Sequence, residues 1–154
     1  MRPARHHPPT PRVHPARVPL QGPADALSVL RAGPLPIVPT VTVLLLDEQH
    51  RGLQCLDVAG RADADTIVSI AELMVGLAHQ TPLAAVVLGC VRPTGGHDPS
   101  PDDVQAFLDA QDLLADVGLD LLDCFVLDER GWASLAELSG APWLWLGPID
   151  GPRA

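Results

Sequence analysis

Hydrophobic and polar residues follow two kinds of pattern along this chain. Short runs that are apolar throughout, with β-branched residues among them, predict strands buried on both faces. Longer runs, in which apolar residues recur every three or four positions, predict amphipathic helices. The predicted strands are residues 40–46, 53–58, 83–88, 119–127 and 132–138, and the predicted helices are residues 23–32, 63–79 and 104–117. This order of elements predicts an α/β fold with a mixed sheet sandwiched by helices.

Polar turns separate the predicted strands. Residues 47–52 and residues 128–131 each place charged side chains before a glycine, which is typical of hairpin turns. His50 lies in the first of these turns, where we expect its side chain to be exposed to solvent. The strand, helix and strand over residues 53–88 permit a right-handed parallel connection, although the pattern does not fix which strands pair.

Residues 89–103 form the loop that holds most of the candidate chemistry, including Cys90 and Arg92. A predicted strand precedes this loop and a predicted helix follows it. The loop is therefore expected at the open edge of the sheet, where α/β proteins usually keep their sites. Its last four residues, Ser-Pro-Asp-Asp, resemble a capping box, with serine at the N-cap, proline at the first helical position and an acid at the third.

The loop resembles the zinc-binding signature of the RadC family, a branch of the JAB/JAMM (MPN-type) metalloproteases. That signature reads His-x-His-Pro-Ser-Gly, then four residues ending in proline, then Ser-x-x-Asp. Five residues of this chain match it without a gap: Pro93, Gly95, Pro99, Ser100 and Asp103. Thr94 stands in place of the family's first serine, and Cys90 and Arg92 stand in place of its two histidines.

The resemblance continues on both sides of the loop and covers residues 40–138. Residues 44–51 resemble the end of the first RadC strand and its polar turn. Further along, Asp123 and Cys124 stand where the family has Asp-His, and Ser134 matches a family serine. The resemblance implies the JAB/JAMM architecture, which is cytidine-deaminase-like.

In the family that the chain resembles, two histidines, an aspartate and a water molecule hold a catalytic zinc ion, and an upstream glutamate is the general base. Here Cys90 could ligate zinc as a thiolate and Asp103 retains its carboxylate, but the cationic side chain of Arg92 would repel a divalent ion. Residues 37–46, which would supply the glutamate, contain no acid. The resemblance therefore implies a site that has lost catalysis and has no expected cofactor. Its degenerate positions are Cys90, Arg92, Thr94 and Asp103.

Other assignments of these residues stay open from the sequence. Asp103 could serve as a helix cap alone, or it could form a salt bridge with Arg92 at the position of the metal. An altered zinc site could include Cys90 and His97, with Asp98 or Asp103 as a further ligand. Cys90 could also act as a nucleophile if a base lay beside it. The residues expected to have structural roles are Pro93, Gly95, Ser100 and Pro101.

Composition narrows the class of protein. The 154 residues suit one domain, and a hydrophobic fraction of 47% can supply its core. The net charge is −9, and residues 1–21 contain four arginines and no acid, so the remainder carries −13. An acidic body without lysine or tyrosine is a poor surface for phosphate backbones, which argues against direct nucleic-acid binding. Three widely spaced cysteines indicate no disulfide framework, and a reducing cytoplasm is the simplest context.

The chain is expected to divide into three parts. Residues 1–39 are predicted to be a disordered Pro/Arg-rich tail with a short helix, residues 40–140 a RadC-like JAB domain, and residues 141–154 a C-terminal tail. Trp143 and Trp145 in the last part could cover an edge of the core or form a contact patch.

Three functional hypotheses are consistent with these observations. We expect a catalytically inactive RadC-like JAB domain that acts as a binding or scaffold module for a protein partner. The first alternative is a zinc-dependent hydrolase of the metalloprotease or isopeptidase type with an altered ligand set. The second is a DNA-repair-associated accessory protein, an association that comes from the family name alone. A homo-oligomer is compatible with all three, and no membrane association is expected because no apolar run approaches the roughly 18 residues of a membrane span.

Overall fold

The computed structural model of the protein describes residues 10–11, 19–80, 82–94 and 96–148. Its strands are β1 (Thr10–Pro11), β2 (Thr40–Leu46), β3 (Gly52–Ala59), β4 (Ala85–Val91), β5 (Asp120–Leu127) and β6 (Trp132–Ser134). Its helices are α1 (Pro23–Leu30), α2 (Ala64–Val75), α3 (Pro101–Ala115) and α4 (Leu135–Ser139). The predicted α/β class is confirmed, and the predicted strands and helices occur in the predicted order; β1 and α4 were not predicted.

Strand β2 lies in the interior of a mixed sheet whose strand order is β1-β3-β2-β4-β5-β6. It pairs antiparallel with β3 and with β4, so these two strands run in the same direction on either side of it. β4 and β5 pair parallel, and β6 returns antiparallel to β5. All residues of β2 and β4 are buried, as expected of strands that are covered on both faces.

Helices cover both faces of the sheet, which confirms the predicted sandwich. One core lies beneath α2 and α3 and includes Ile67, Ile70, Phe107 and Leu114. The other core lies beneath α1 and the chain after α4 and includes Leu27, Leu30 and Trp145. Within residues 19–80, 82–94 and 96–148, none of the helices combines the length and the apolar character needed to cross a lipid bilayer.

Helix α1 belongs to the compact body, although the sequence placed it in an N-terminal tail. It ends at Leu30, two residues earlier than predicted, and Gly33 follows with a φ of 78°. Three of its residues, Ala26, Leu27 and Leu30, are buried. The body therefore begins before residue 40. Of the predicted tails, residues 1–9, 12–18 and 149–154 lie outside the described residues.

The segment after α4 closes the second core. Trp145 is buried and Trp143 is half-buried, so the two tryptophans cover a core edge, which is one of the two roles that the sequence left open. The backbone N–H of Gly147 donates to the carbonyl of Gln21 at 3.1 Å, which joins this segment to the chain just before α1.

Two predicted strand ends are wrong. β4 continues past Leu88 to Val91 and so includes Cys90, which was expected on the loop. Pairing with β2 on one side and β5 on the other holds these last residues in the sheet. The last strand ends at Ser134 rather than at residue 138, because Ser134 caps α4 by accepting the backbone N–H of Glu137.

The side chain of His50 is buried, so the expected solvent exposure is wrong. It is 3% exposed, and its backbone adopts a left-handed φ of 59°. Its ring meets that of Trp145 edge-on, with centroids 6.1 Å apart, and its carbonyl accepts the N–H of Leu20 at 2.9 Å. Burial lowers the pKa of His50 below its ordinary value. The residues that cover His50 are distant in sequence, so the turn pattern could not reveal its burial.

Gly89 lies where α1 passes over β4. A Cβ atom at this position would lie 2.9 Å from Cδ2 and 3.0 Å from Cδ1 of Leu30, which is closer than carbon atoms pack. These atoms are the flexible end of a side chain, so Gly89→Ala is expected to lower the free energy of unfolding by about 1–3 kcal/mol without preventing folding. Urea titration measures this change. The Gly89→Ala/Leu30→Ala double variant should cost less than the sum of the single variants, and additive costs would contradict the contact.

Candidate functional site

The side chains of Arg92 and Asp103 form a bidentate ion pair. Arg92 follows β4 directly, and Asp103 lies in the first turn of α3. Nη1 of Arg92 is 2.9 Å from Oδ2 of Asp103, and Nη2 is 2.8 Å from Oδ1. The pair is enclosed, since 16% of the Arg92 side chain and 5% of the Asp103 side chain are exposed. This geometry confirms the salt bridge that the sequence suggested between the two residues.

Helix α3 begins with the predicted capping box. Oγ of Ser100 accepts the backbone N–H of Asp103 at 3.2 Å, and Oδ2 of Asp103 accepts the backbone N–H of Ser100 at 2.8 Å. Pro101 is the first residue of the helix, a position whose backbone N–H would have no partner within the helix, so proline breaks no hydrogen bond there. Asp103 therefore has both of the roles that the sequence proposed, a helix cap and a partner of Arg92.

The guanidinium of Arg92 is fixed by a third contact. Its Nε donates to the carbonyl of Ala62 at 2.7 Å, in the connection between β3 and α2. The backbone N–H of Arg92 donates to the carbonyl of Leu127 at 2.9 Å, which holds the start of the loop against the end of β5. Arg92 thus joins three parts of the chain that are far apart in sequence.

Both members of the pair are charged at neutral pH. Burial alone would raise the pKa of Asp103, but the hydrogen bonds from Arg92 and Ser100 outweigh it and hold this pKa below its ordinary value. Burial would likewise lower the pKa of Arg92, but the hydrogen bond to Asp103 and the Coulombic attractions together outweigh it, so this pKa lies above its ordinary value. The contact is therefore a true ion pair at neutral pH.

His97 does not join this pair. Its Nδ1 lies 3.0 Å from Oδ1 of Asp128, the residue after β5. The same carboxylate oxygen accepts the backbone N–H groups of Arg130 and Gly131 at 2.7 and 3.0 Å. The sequence did not single out Asp128, although an aspartate that opens a polar turn often accepts such bonds, and that signal could have found it.

The other signature residues are spread along the loop. Pro93 is half-buried, and the side chains of Thr94 and Asp98 are exposed. Gly95, predicted to have a structural role, lies outside the described residues. Thr94 keeps the hydroxyl of the serine that it replaces, on an exposed side chain.

Cys90 and Cys124 are buried neighbours on adjacent strands. Their sulfur atoms are 3.7 Å apart, and neither side chain is exposed. The hydrogen bond with Cys90 raises the pKa of Cys124 well above its ordinary value, and burial raises it further. Cys124 is therefore a neutral thiol at physiological pH. The parallel pairing of β4 with β5 creates this contact, and sequence spacing could not show it.

The residues present do not fit a zinc ion of the kind that the resemblance implies. Both carboxylate oxygens of Asp103 bind a guanidinium cation. The imidazole of His97, the other candidate ligand near the helix, is bonded to Asp128. Among the described residues, no three histidine, cysteine, aspartate or glutamate side chains converge in a way that could hold a metal ion.

Comparison with known proteins agrees with the fold and with the family that the sequence resembles. The sequence pattern of the family described as the RadC-like JAB domain matches residues 23–140. The chain belongs to the RadC-like JAB domain family. Relatives of this RadC-like JAB domain include UPF0758 proteins of Shewanella loihica and Shewanella baltica, each 33% identical over 95 residues, which is 62% of this chain and 42% of theirs. A UPF0758 protein of Shewanella amazonensis is 32% identical over 106 residues, which is 68% of this chain and 44% of that protein.

Asp123 of this RadC-like JAB domain is a buried carboxylate that ties β5 to α4. Its Oδ2 accepts the hydroxyl of Ser134 at 2.7 Å, and its Oδ1 accepts the backbone N–H groups of Cys124 and Ala136 at 2.7 and 3.1 Å. Burial raises the pKa of Asp123 to about 6, against the opposing effect of these three hydrogen bonds. The two residues that match the family's Asp and Ser are thus brought together by the fold.

Proposed function

We propose that this RadC-like JAB domain has no metallohydrolase activity and works by binding a protein partner. The observation that carries the proposal is the enclosed ion pair between Arg92 and Asp103. A catalytic zinc site needs its carboxylate to face a divalent cation. Here the guanidinium of Arg92 supplies the positive charge, so the carboxylate of Asp103 is neutralised by the chain itself.

Electrostatic repulsion gives the scale of the effect. For zinc to bind Asp103, the ion would have to share the carboxylate with Arg92 or displace the guanidinium. At about 4 Å and an effective dielectric constant of about 20, two unit charges repel each other by about 4 kcal/mol, and a divalent ion doubles this. Even the smaller figure corresponds to about three decades of zinc affinity. Displacement would also break the bond from Arg92 to the carbonyl of Ala62.

The strand that would supply the general base supports the same reading. β2 has the sequence TVTVLLL, and none of its side chains can accept a proton from a zinc-bound water at neutral pH. The family fold is thus combined with the loss of both signature histidines and of an acid in the strand that would supply the general base. A fold that persists under such replacement is consistent with a role in binding.

The partner and the location belong to the same proposal. We propose a protein partner rather than nucleic acid, because the chain carries a net charge of −9 and has no lysine. A cytoplasmic location is proposed because Cys90 and Cys124 are buried thiols and not a disulfide, which suits a reducing compartment. The chain spans less than half the length of the UPF0758 relatives, so no activity of those whole proteins is carried over.

Zinc content after substitution of Arg92 tests the proposal. Purified wild-type protein, grown with added zinc, is expected to contain close to none by mass spectrometry. Arg92→His removes the repelling cation and adds an imidazole between Cys90 and Asp103 in the signature, so zinc content is expected to approach one ion per chain. Arg92→Gln is the matched control, because it removes the same charge without adding a good zinc ligand.

The results of this experiment distinguish a non-catalytic binding domain from a zinc-dependent hydrolase. Near one zinc ion per wild-type chain would contradict the proposal and favour the hydrolase with an altered ligand set. Equal zinc content in Arg92→His and Arg92→Gln, both near zero, would show that Arg92 is not what keeps zinc out. Circular dichroism of each variant ensures that folded proteins are compared.

A further inference from the structure

A cavity of about 210 Å³ lies beside β5 and α4, and its lining includes residues from both cores, Ala136 and Ala141 from one and Leu122 and Trp145 from the other. Its walls come from the start of α1, from β5, from α4 and from the segment after α4. The Arg92–Asp103 pair does not line it. The cavity is therefore a site separate from the one that the family signature marks.

Two indole rings form part of the cavity wall. Trp143 and Trp145 line it, together with Pro23 and Pro142. Nε1 of Trp143 donates to the carbonyl of Gly147 at 2.8 Å, and the ring of Trp145 is packed against that of His50. The rings are thus held in place before any ligand arrives, which lowers the entropy that binding would cost.

The charge of the cavity is negative. Among the described residues that line it, the ionisable ones are Asp123 and Glu137. Asp123 is 1% exposed and lies at the wall formed by β5, whereas Glu137 is exposed on α4. Two acids beside indole rings attract a cation and repel an anion.

The carboxylate of Asp123 indicates which kind of cation fits. Its oxygens already accept three hydrogen bonds, from Ser134, Cys124 and Ala136. A hard metal cation requires several free oxygen ligands, and the described residues contain no cluster of that kind. An organic cation needs fewer oxygen ligands, because indole faces stabilise its charge and because it is only weakly hydrated.

We propose that this cavity binds the guanidinium group of an arginine side chain presented by a protein partner. A planar guanidinium stacks on an indole ring while its N–H groups reach a carboxylate, which is the combination that the half-buried Trp143 and the exposed Glu137 offer. Neither Arg92 nor Asp103 lines this site, so the inference goes beyond the proposed loss of catalysis and assigns a chemistry to a second place on the domain.

The probe for this site is Nα-acetyl-arginine amide, and Nα-acetyl-citrulline amide is its matched control. Citrulline has nearly the shape of arginine but carries a neutral urea in place of the guanidinium. The chain has three tryptophans, so the ¹⁵N–¹H spectrum contains three indole signals, which single Trp→Phe variants assign. Trp132 is an internal reference, because it packs on Phe125 and does not line the cavity.

The arginine derivative is expected to shift the Trp143 and Trp145 signals saturably at roughly millimolar concentration, and to leave the Trp132 signal in place. The citrulline derivative should shift them at least roughly fivefold less at equal concentration. Glu137→Gln changes an exposed side chain and should weaken arginine binding roughly threefold to fivefold. Equal shifts with both derivatives, parallel shifts of all three signals, or no saturable shift with arginine would each overturn the proposal.

Discussion

Arg92→Met is expected to lower the free energy of unfolding by about 3–5 kcal/mol. Methionine keeps much of the volume of the arginine stem but leaves the carboxylate of Asp103, which is 3% exposed, without its counter-ion. The cost arises mainly from this uncompensated charge, because removing one partner of a buried ion pair destabilises the protein much more than replacing both partners. Loss of the bond from Nε to the carbonyl of Ala62 adds a smaller amount.

A double-mutant cycle separates the charge from the packing. Asp103→Asn leaves a neutral side chain that can still accept the backbone N–H of Ser100, so the capping box survives in part. The Arg92→Met/Asp103→Asn variant is expected to be more stable than Arg92→Met alone by about 1–2 kcal/mol. Urea titration followed by circular dichroism measures all four proteins. A cost below about 1 kcal/mol for Arg92→Met would mean that the pair behaves as an exposed salt bridge.

The second large effect is a fall in stability between about pH 4 and pH 6. The pKa of Asp123 is raised from 3.8 to about 6 in the folded protein. Between these two values the folded state holds a proton that the unfolded state has released, so unfolding becomes more favourable as the pH rises. The full shift corresponds to about 3 kcal/mol, which is lost as the pH passes through the folded pKa and is then constant.

The Asp123→Asn variant isolates this contribution. Its amide oxygen can accept the backbone N–H groups of Cys124 and Ala136, and its amide nitrogen can donate to Ser134, so the three contacts can be kept without a titrating group. The wild type minus variant difference in the free energy of unfolding should fall between pH 4 and pH 6. The pKa of Asp103 lies below its ordinary value, so the stability that this residue contributes is lost at lower pH. That contribution is the same in the wild type and the variant, and it cancels in the difference. A flat difference would show that the carboxylate of Asp123 titrates normally.

Most of the secondary structure could be predicted from the sequence. The strands and helices other than β1 and α4, and the capping box at Ser100, follow from patterns that span fewer than about twenty residues, within the reach of periodicity and turn chemistry. The bridge between Arg92 and Asp103 was also accessible, because the loop signature places the two residues at positions that would share one metal ion. Their opposite charges then suggest a direct contact.

Contacts between residues that are distant along the chain could not be predicted from such local patterns. His50 has the sequence surroundings of an exposed turn residue, and it is buried because Trp145 and Leu20 pack against it. The sulfur atoms of Cys90 and Cys124 meet because β4 and β5 pair in parallel. The spacing of hydrophobic residues within a strand does not show which strands are neighbours in the sheet. The cavity combines residues from Pro23 to Trp145, so no local pattern could predict it.

The hydrogen bond between Gly147 and Gln21 brings together the two ends of the segment that runs from α1 to the tryptophans, whereas β1 lies before this segment and pairs with β3. A module whose entry and exit points are neighbours can be inserted into a surface loop of another protein without stretching the backbone of the host. Residues 21–147 have this arrangement, and their two ends meet beside the cavity that Trp143 and Trp145 line.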